Sequence, residues 1–304
     1  MRKLGGDNPD AIYHFARIRG DRTYRVRGRR GLECYFSFTV HGRSPDGKLG
    51  MAAEPVLADV NDRALEFRED GSYEIVFGPE PAPGNWVRLD PGAASLIVRH
   101  YYELERCAAS DPEIRVELEI EALGTPPRRS ERDDEVMARR IEDVAAFVRG
   151  GSVELLDLTT LPVPFVSRVP NELPEPAAFG ASGQAAWGAV DIAYAMAPFR
   201  VAPDEALVMT GRLPDCAFAN VVLWNRHMQT FEYRDRRVSL NRRQIVPEPD
   251  GSYRIVIAHR DPGVPNWLDT DGHSEGTIFW RFLLPREKPP RPECRLVRFE
   301  DLER

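Results

Sequence analysis

The chain has 304 residues, 42% hydrophobic and 29% charged, which is the balance of a globular protein and excludes a disordered tail protein. No stretch approaches the roughly 20 consecutive apolar residues that a membrane helix needs. A net charge of −7 argues against nucleic acid as a partner, because duplex binding relies on a concentrated positive field. Met1 to Asp10 is polar and carries no apolar leader core, and Cys34, Cys107, Cys216 and Cys294 lie far apart with no C-x-x-C pair. A cytoplasmic protein with reduced thiols is expected.

In chain order, Phe36-Ser37-Phe38-Thr39-Val40 reads as a strand, by alternation and by its aromatic and β-branched content. Gly42 to Lys48 has the spacing of a phosphate loop but ends in Leu49, where a Ser or Thr must hold magnesium, so it reads as a turn. Asp70-Gly71 is a strong hairpin signal, and after it Tyr73, Ile75 and Phe77 share one strand face. Leu96-Ile97-Val98 is a further strand, and Ile114 to Ile120 alternates as a half-exposed one. Ser130 and Asp133 are placed to cap a helix with Met137, Ile141, Val144, Ala145 and Val148 as its apolar stripe, stopped by Gly150-Gly151. Leu161 to Ala186, rich in proline and alanine, reads as a linker packed across a surface. Ala219 to Trp224, the strand after Asp250-Gly251, and Ile278-Phe279-Trp280 complete the set.

The last three elements copy earlier ones. Asp70-Gly71-Ser72-Tyr73-Glu74-Ile75-Val76 returns as Asp250-Gly251-Ser252-Tyr253-Arg254-Ile255-Val256. Asn61 and Arg63 match Asn241 and Arg243 at an offset of 180; Pro81, Asn85, Trp86 and Asp90 match Pro262, Asn266, Trp267 and Asp271 at 181. Arg99 and Cys34 match Arg281 and Cys216 at 182, Gly28 matches Gly211, and Tyr13 matches Tyr194. Such a ladder indicates duplication. The expected fold is mainly β, with two tandem jelly-roll-like antiparallel β-sandwich units and one inserted α-helix. The expected divisions are 1–122, a 123–188 insert with helix and linker, and 189–304.

Gly211-Arg212-Leu213-Pro214-Asp215, Leu223-Trp224-Asn225, Ser239 to Gln244, Asp261 to Asp269 and Trp280-Arg281 together resemble the bacterial family called domain of unknown function 1214. The likeness is clearest over 190–287. It implies a jelly-roll-like sandwich and, from many relatives, oligomers; it implies no activity, catalytic residue or cofactor.

The densest polar cluster runs from Asp261 to Glu275. Asp269, Asp271 and His273 are the candidate acid–base residues, because carboxylates beside an imidazole can move protons. Trp267, Arg281, Asn241, Arg243 and Asn266 are candidate ligand contacts. The repeat favours a framework role for Asn266, Trp267 and Asp271, since the first copy keeps Asn85, Trp86 and Asp90, whereas His273 faces Gly92 and is particular to the second copy. Arg99 and Arg281 lie inside apolar strands and need a partner; Asp90 and Asp271 are the nearest acids in sequence. The expected function is small-molecule binding, with cofactor-free acid–base chemistry (a lyase, isomerase or hydrolase) on a carbohydrate, terpenoid or lipid-like substrate. The alternative is a non-catalytic binding or assembly module. No metal, cofactor, membrane or nucleic-acid partner is expected, and a homo-oligomer is.

Overall fold

The computed structural model describes residues 3, 5–43, 55–125, 134–154, 163–178 and 189–302. The first copy holds eight strands: β1 (Ala11–Arg17), β2 (Tyr24–Arg29), β3 (Tyr35–Gly42), β4 (Val56–Asn61), β5 (Ser72–Gly78), β6 (Asn85–Arg88), β7 (Ala93–Tyr101) and β8 (Leu118–Ala122). Helix α1 (Asp134–Arg149) and the two-residue β9 (Ala177–Ala178) follow. The second copy holds β10 (Ile192–Arg200), β11 (Glu205–Gly211), β12 (Phe218–Trp224), β13 (Ser239–Asn241), β14 (Tyr253–Ala258), β15 (Trp267–Asp269), β16 (Glu275–Leu283) and β17 (Glu293–Arg298).

The two copies have the same topology. One sheet of the first copy runs β1-β7-β3-β4 and the other β6-β5-β2-β8; their counterparts run β10-β16-β12-β13, with β9 added outside β10, and β15-β14-β11-β17. All pairings between these strands are antiparallel except β5 with β6 and β14 with β15. Alternation fixes which side chains meet. Phe36, Phe38, Val40, Leu96 and Val98 face Val26, Tyr73, Ile75 and Phe77 in the first core. In the second, Val221, Leu223, Ile278 and Trp280 face Leu207, Met209, Tyr253, Ile255 and Ile257.

The repeated glycines are explained by the repeated tyrosines. A Cβ on Gly28 would meet the Tyr73 hydroxyl at 2.4 Å, and one on Gly211 would meet that of Tyr253 at 2.5 Å. Gly28 is paired with Tyr73 in the ladder, and Gly211 with Tyr253, so each glycine lets a large ring lie flat across its own strand.

Several local expectations need correcting. The turns at Gly71 and Gly251 form, each with a positive φ (78° and 81°), but each feeds a strand from a loop that crosses between sheets. They do not join two paired strands. The strand expected over Ile114 to Ile120 is confined to Leu118–Ala122. Strand register sets Tyr35 opposite Tyr101 and Phe218 opposite Leu283, and the preceding Cys34 and Ala217 each donate an N–H to that partner's carbonyl, so Cys34 corresponds to Ala217 rather than to Cys216. The cysteines are free, and burial holds the thiols of Cys34, Cys216 and Cys294 up at about 12, 11 and 11.

Helix α1 spans its predicted stripe and runs into a single π turn, Gly150–Glu154, instead of stopping at the glycine pair. Its stripe is open to solvent, with Ile141 63% and Val144 59% exposed. The expected cap at Ser130 and Asp133 and most of the Gly42 to Lys48 turn lie outside the described residues. The described part of the linker packs closely: Phe165 and Leu173 are buried, and Val166 bridges to Met196 on β10. No helix of the described residues is long and apolar enough to cross a membrane.

Candidate functional site

A cleft of about 540 Å³ lies on the second copy. Its floor is apolar, from Met196, Pro198 and Phe199 on β10, with Val166 of the linker as one wall. Asn225, Arg226, His227, His273, Glu275 and Arg200 form the polar margin. Two loops bring the histidines there. In the loop after β12, Asn225 Oδ1 accepts the backbone N–H of His227 at 2.8 Å and that of Gln229 at 3.1 Å, and Met228 takes a left-handed φ of 54°. In the loop before β16, Asp271 and Gly272 are left-handed (52° and 77°) and deliver His273, whose ring stacks on Phe231 at 4.5 Å and 7°. Left-handed non-glycine residues are costly and gather at working loops. Gly276 lines the cleft where a Cβ would come within 2.5 Å of Phe199 and 2.7 Å of the Trp224 carbonyl, so the strand can pass this point only as glycine. Glu275 pairs with Arg200 at 2.9 Å in the open, a contact of small energetic weight.

The other expected site residues lie elsewhere. Asp269 and Asp271 are both held by Arg236, each at 2.8 Å, and Asp269 Oδ1 also accepts the Asp271 N–H. The clamped carboxylates are engaged with a guanidinium, and no hydrogen bond joins either to the His273 ring. Trp267 lies on the outer face of the β14 sheet, against Ala206, Val256 and Ala258, and donates its indole N–H to the Ala258 carbonyl. Asn266 is a pin: Oδ1 accepts the Val246 N–H (2.8 Å), while Nδ2 donates to the carbonyls of Val246 (2.7 Å) and Arg254 (3.1 Å). Asn85 makes the same three bonds with Glu66 and Glu74. The framework role indicated by the repeat is therefore the one observed.

Arg281 stands six residues along β16 from Glu275 and does not line the cleft. Its partner is not Asp271. The guanidinium donates to the carbonyls of Gly6 (3.1 Å) and Asp7 (3.2 Å) and lies over the rings of Phe279 (4.5 Å) and Trp224 (5.1 Å). Likewise Arg99 donates to Thr39 Oγ1 at 2.7 Å, while Asp90 closes a turn on the Gly92 N–H. Asn241 belongs to the joint between the copies, bonded to Asp10 (3.0 Å) and to the Leu104 carbonyl (2.9 Å), and Arg243 pairs with Glu105 at the surface. Of the eight expected residues, only His273 reaches the cleft.

Sequence reasoning passed over His227, Asp10, Asp191 and Asn220. The two aspartates were within reach, since they share the offset of 181 that relates Tyr13 to Tyr194. His227 had no such signal, because nothing in the chain marks its loop as one that turns back toward β10. Among the described residues no group of three His, Cys, Asp or Glu side chains is placed to hold a metal ion.

Comparison with known structures agrees with this architecture. An uncharacterised protein from Burkholderia cenocepacia is 34% identical, with a TM-score of 0.85 over 99% of this chain and 79% of that one. The VPA0106 protein from Vibrio parahaemolyticus shares the fold at 14% identity, with a TM-score of 0.60 over 97% of this chain and 91% of that one. No curated protein matches. The model of the family described as protein of unknown function (DUF1214) matches twice, over residues 14–103 and 198–287, once in each sandwich. The chain is a member of the DUF1214 family, carrying two copies of its domain.

Proposed function

We propose that the protein binds a small molecule with an apolar body and an anionic or hydrogen-bonding end, in the cleft between β10, the linker and the two histidine loops. The carrying observation is the convergence of His227 and His273 on one concavity of about 540 Å³ whose floor is Met196, Pro198 and Phe199. That volume falls in the ordinary range for small-ligand sites, as does an apolar floor with a few polar groups at its margin. Arg226 gives the margin a positive group suited to a carboxylate or similar end group, while the charge of Arg200 is matched by Glu275. The class agrees with the lipid-like and terpenoid candidates expected from sequence better than with a carbohydrate, which needs more hydroxyl partners than this floor supplies. Catalysis has less support than binding. The carboxylates expected to work with His273 are tied to Arg236, so acid–base chemistry here would run through the histidines and Glu275.

The test is calorimetric titration of wild type and the H227A/H273A double variant with a series of medium-chain carboxylates. Saturable binding to wild type, weakened at least tenfold in the variant while its melting temperature is kept, supports the site. Equal affinity for both proteins removes it.

A second reading, assembly with another copy of the chain, is favoured by helix α1. Met137, Ile141, Val144 and Val148 are spaced 4, 3 and 4 apart, the seam spacing of helix-on-helix packing, and all are exposed. The described residues contain no second α-helix to cover that seam. Sedimentation of wild type and I141E/V144E distinguishes the cases: a dimer that becomes a monomer supports assembly, and a wild-type monomer at high concentration rules it out.

A further inference from the structure

The sandwiches meet outer face to outer face, through β1, β3 and β7 on one side and β10, β12 and β16 on the other, and the contact is reciprocal. Asp10 directly precedes β1 and Asp191 directly precedes β10. The backbone carbonyl of each accepts an equivalent bond, from Tyr102 and from Leu284, both at 2.9 Å. The Asp10 carboxyl of the first copy accepts from Asn220 (2.9 Å) and Asn241 (3.0 Å) of the second. The Asp191 carboxyl of the second copy accepts from the Tyr35 hydroxyl and from Asn61 (3.5 Å) of the first. Asn61 and Asn241 hold the same place, opposite Ser37 and Asn220 in the ladders. The apolar contacts obey the same exchange: Ala11, Tyr35 and Tyr101 share one cluster with their counterparts Ile192, Phe218 and Leu283. A contact matched by its own mirror assignment is the mark of an isologous interface, here formed within one chain.

We propose that this pseudo-twofold joint is a pH-sensitive latch, in which Asp10 and Asp191 hold the two sandwiches more tightly when protonated than when ionised. Asp10 is fully buried, and it faces Asn220 of β12, Asn241 of β13, Arg281 of β16, Glu103 beyond β7, Cys107, and Asn8 on its own segment. Asp191 faces Tyr35 of β3 and Asn61 of β4, both neutral donors, and its Oδ1 is buried without a partner. Loss of hydration is the largest influence on both carboxyls, outweighing the hydrogen bonds and Arg281, and it raises each to about 6. The network also has a place for the proton. Asn220 Oδ1 is buried with no donor, on the amide that touches Asp10; a half-turn of that amide presents it to a protonated carboxyl and exchanges the bond that Nδ2 makes to Asn8 Oδ1 at 2.7 Å. In the native state the neutral form is favoured, so the latch's contribution is complete below the unfolded aspartate value near 4 and is lost as pH rises through about 6.

The test compares urea unfolding of full-length wild type and the D10N/D191N variant at pH 5.0 and 7.5. Asparagine imitates the protonated acid, and His14 and His100 are common to both proteins and cancel. The ratio of the wild-type to the variant unfolding constant should rise at least tenfold from pH 5.0 to pH 7.5. D191N alone, whose residue is less deeply buried, is expected to show part of the same pH-dependent gain. A variant-to-wild-type ratio that is equal at the two pH values in both proteins overturns it, as does failure of both variants to fold at pH 5.0.

Discussion

His100 shows how far a single side chain's environment departs from what the sequence suggests. It is on β7, among residues that alternate between faces, and it falls on the inner face, stacked on Phe36 at 5.3 Å and nearly unexposed. Burial, with His14 nearby, lowers its pKa to about 3. The neutral ring is therefore the native form, and its contribution to stability is present above the unfolded value near 6.5 and lost as pH falls toward 3. His100→Phe should reduce the stability lost between pH 6.5 and 5 by about 2 kcal/mol, measured by urea denaturation at both pH values. An unchanged loss would show that the ring is hydrated. Gly28 makes a second test: Gly28→Ala should cost about 1–3 kcal/mol, read as a lowered midpoint, because Tyr73 has no room to retreat within a filled core. The pairing of Gly28 with Gly211 was readable in the sequence; its cause, a tyrosine lying across each strand, needed the register.

At the level of elements, the legible features were those repeated in both copies. Asn85 and Asn266 each fasten a loop to a strand with three hydrogen bonds, and their repetition identified them as framework before any contact was known. Asn266→Ala leaves a half-buried backbone N–H and two carbonyls without this partner and should cost about 1–3 kcal/mol in thermal or urea unfolding, with Asn85→Ala, whose bonds to Glu66 are exposed, costing less. Loops peculiar to one copy were not legible. The Asp261 to Glu275 stretch gathers acids beside a histidine in sequence, yet folding sends the acids to Arg236 and the ring to Phe231. Proximity along a loop carries little information about direction, because one left-handed residue such as Asp271 reverses the side that follows. The strand arginines failed for a related reason. Asp90 and Asp271 are near Arg99 and Arg281 along the chain, but a carboxylate near the end of a strand cannot reach a guanidinium halfway along it.

For the whole molecule, the duplication explains more than the fold. Two equal units placed outer face to outer face must bury one sheet of each, and the buried faces here carry Asp10, Asn220, Asn241, Arg281 and Asp191 among aromatic rings. Buried polar groups of this kind seldom add net stability, but they specify which faces meet and in what register. The second copy then differs where it faces the insert: the linker crosses β10 at Met196, and the 540 Å³ cleft opens beside it. The claim on which both the joint and the cleft depend is that the halves are one unit used twice, related by a twofold exchange. A crystal structure of the chain tests it most directly, by superposing residues 11–122 on 192–298. Strand-for-strand overlap is expected, with a rotation near 180° that exchanges Asp10 with Asp191. Overlap that requires a different strand order, or a rotation that leaves the two aspartates on unrelated surfaces, would contradict it.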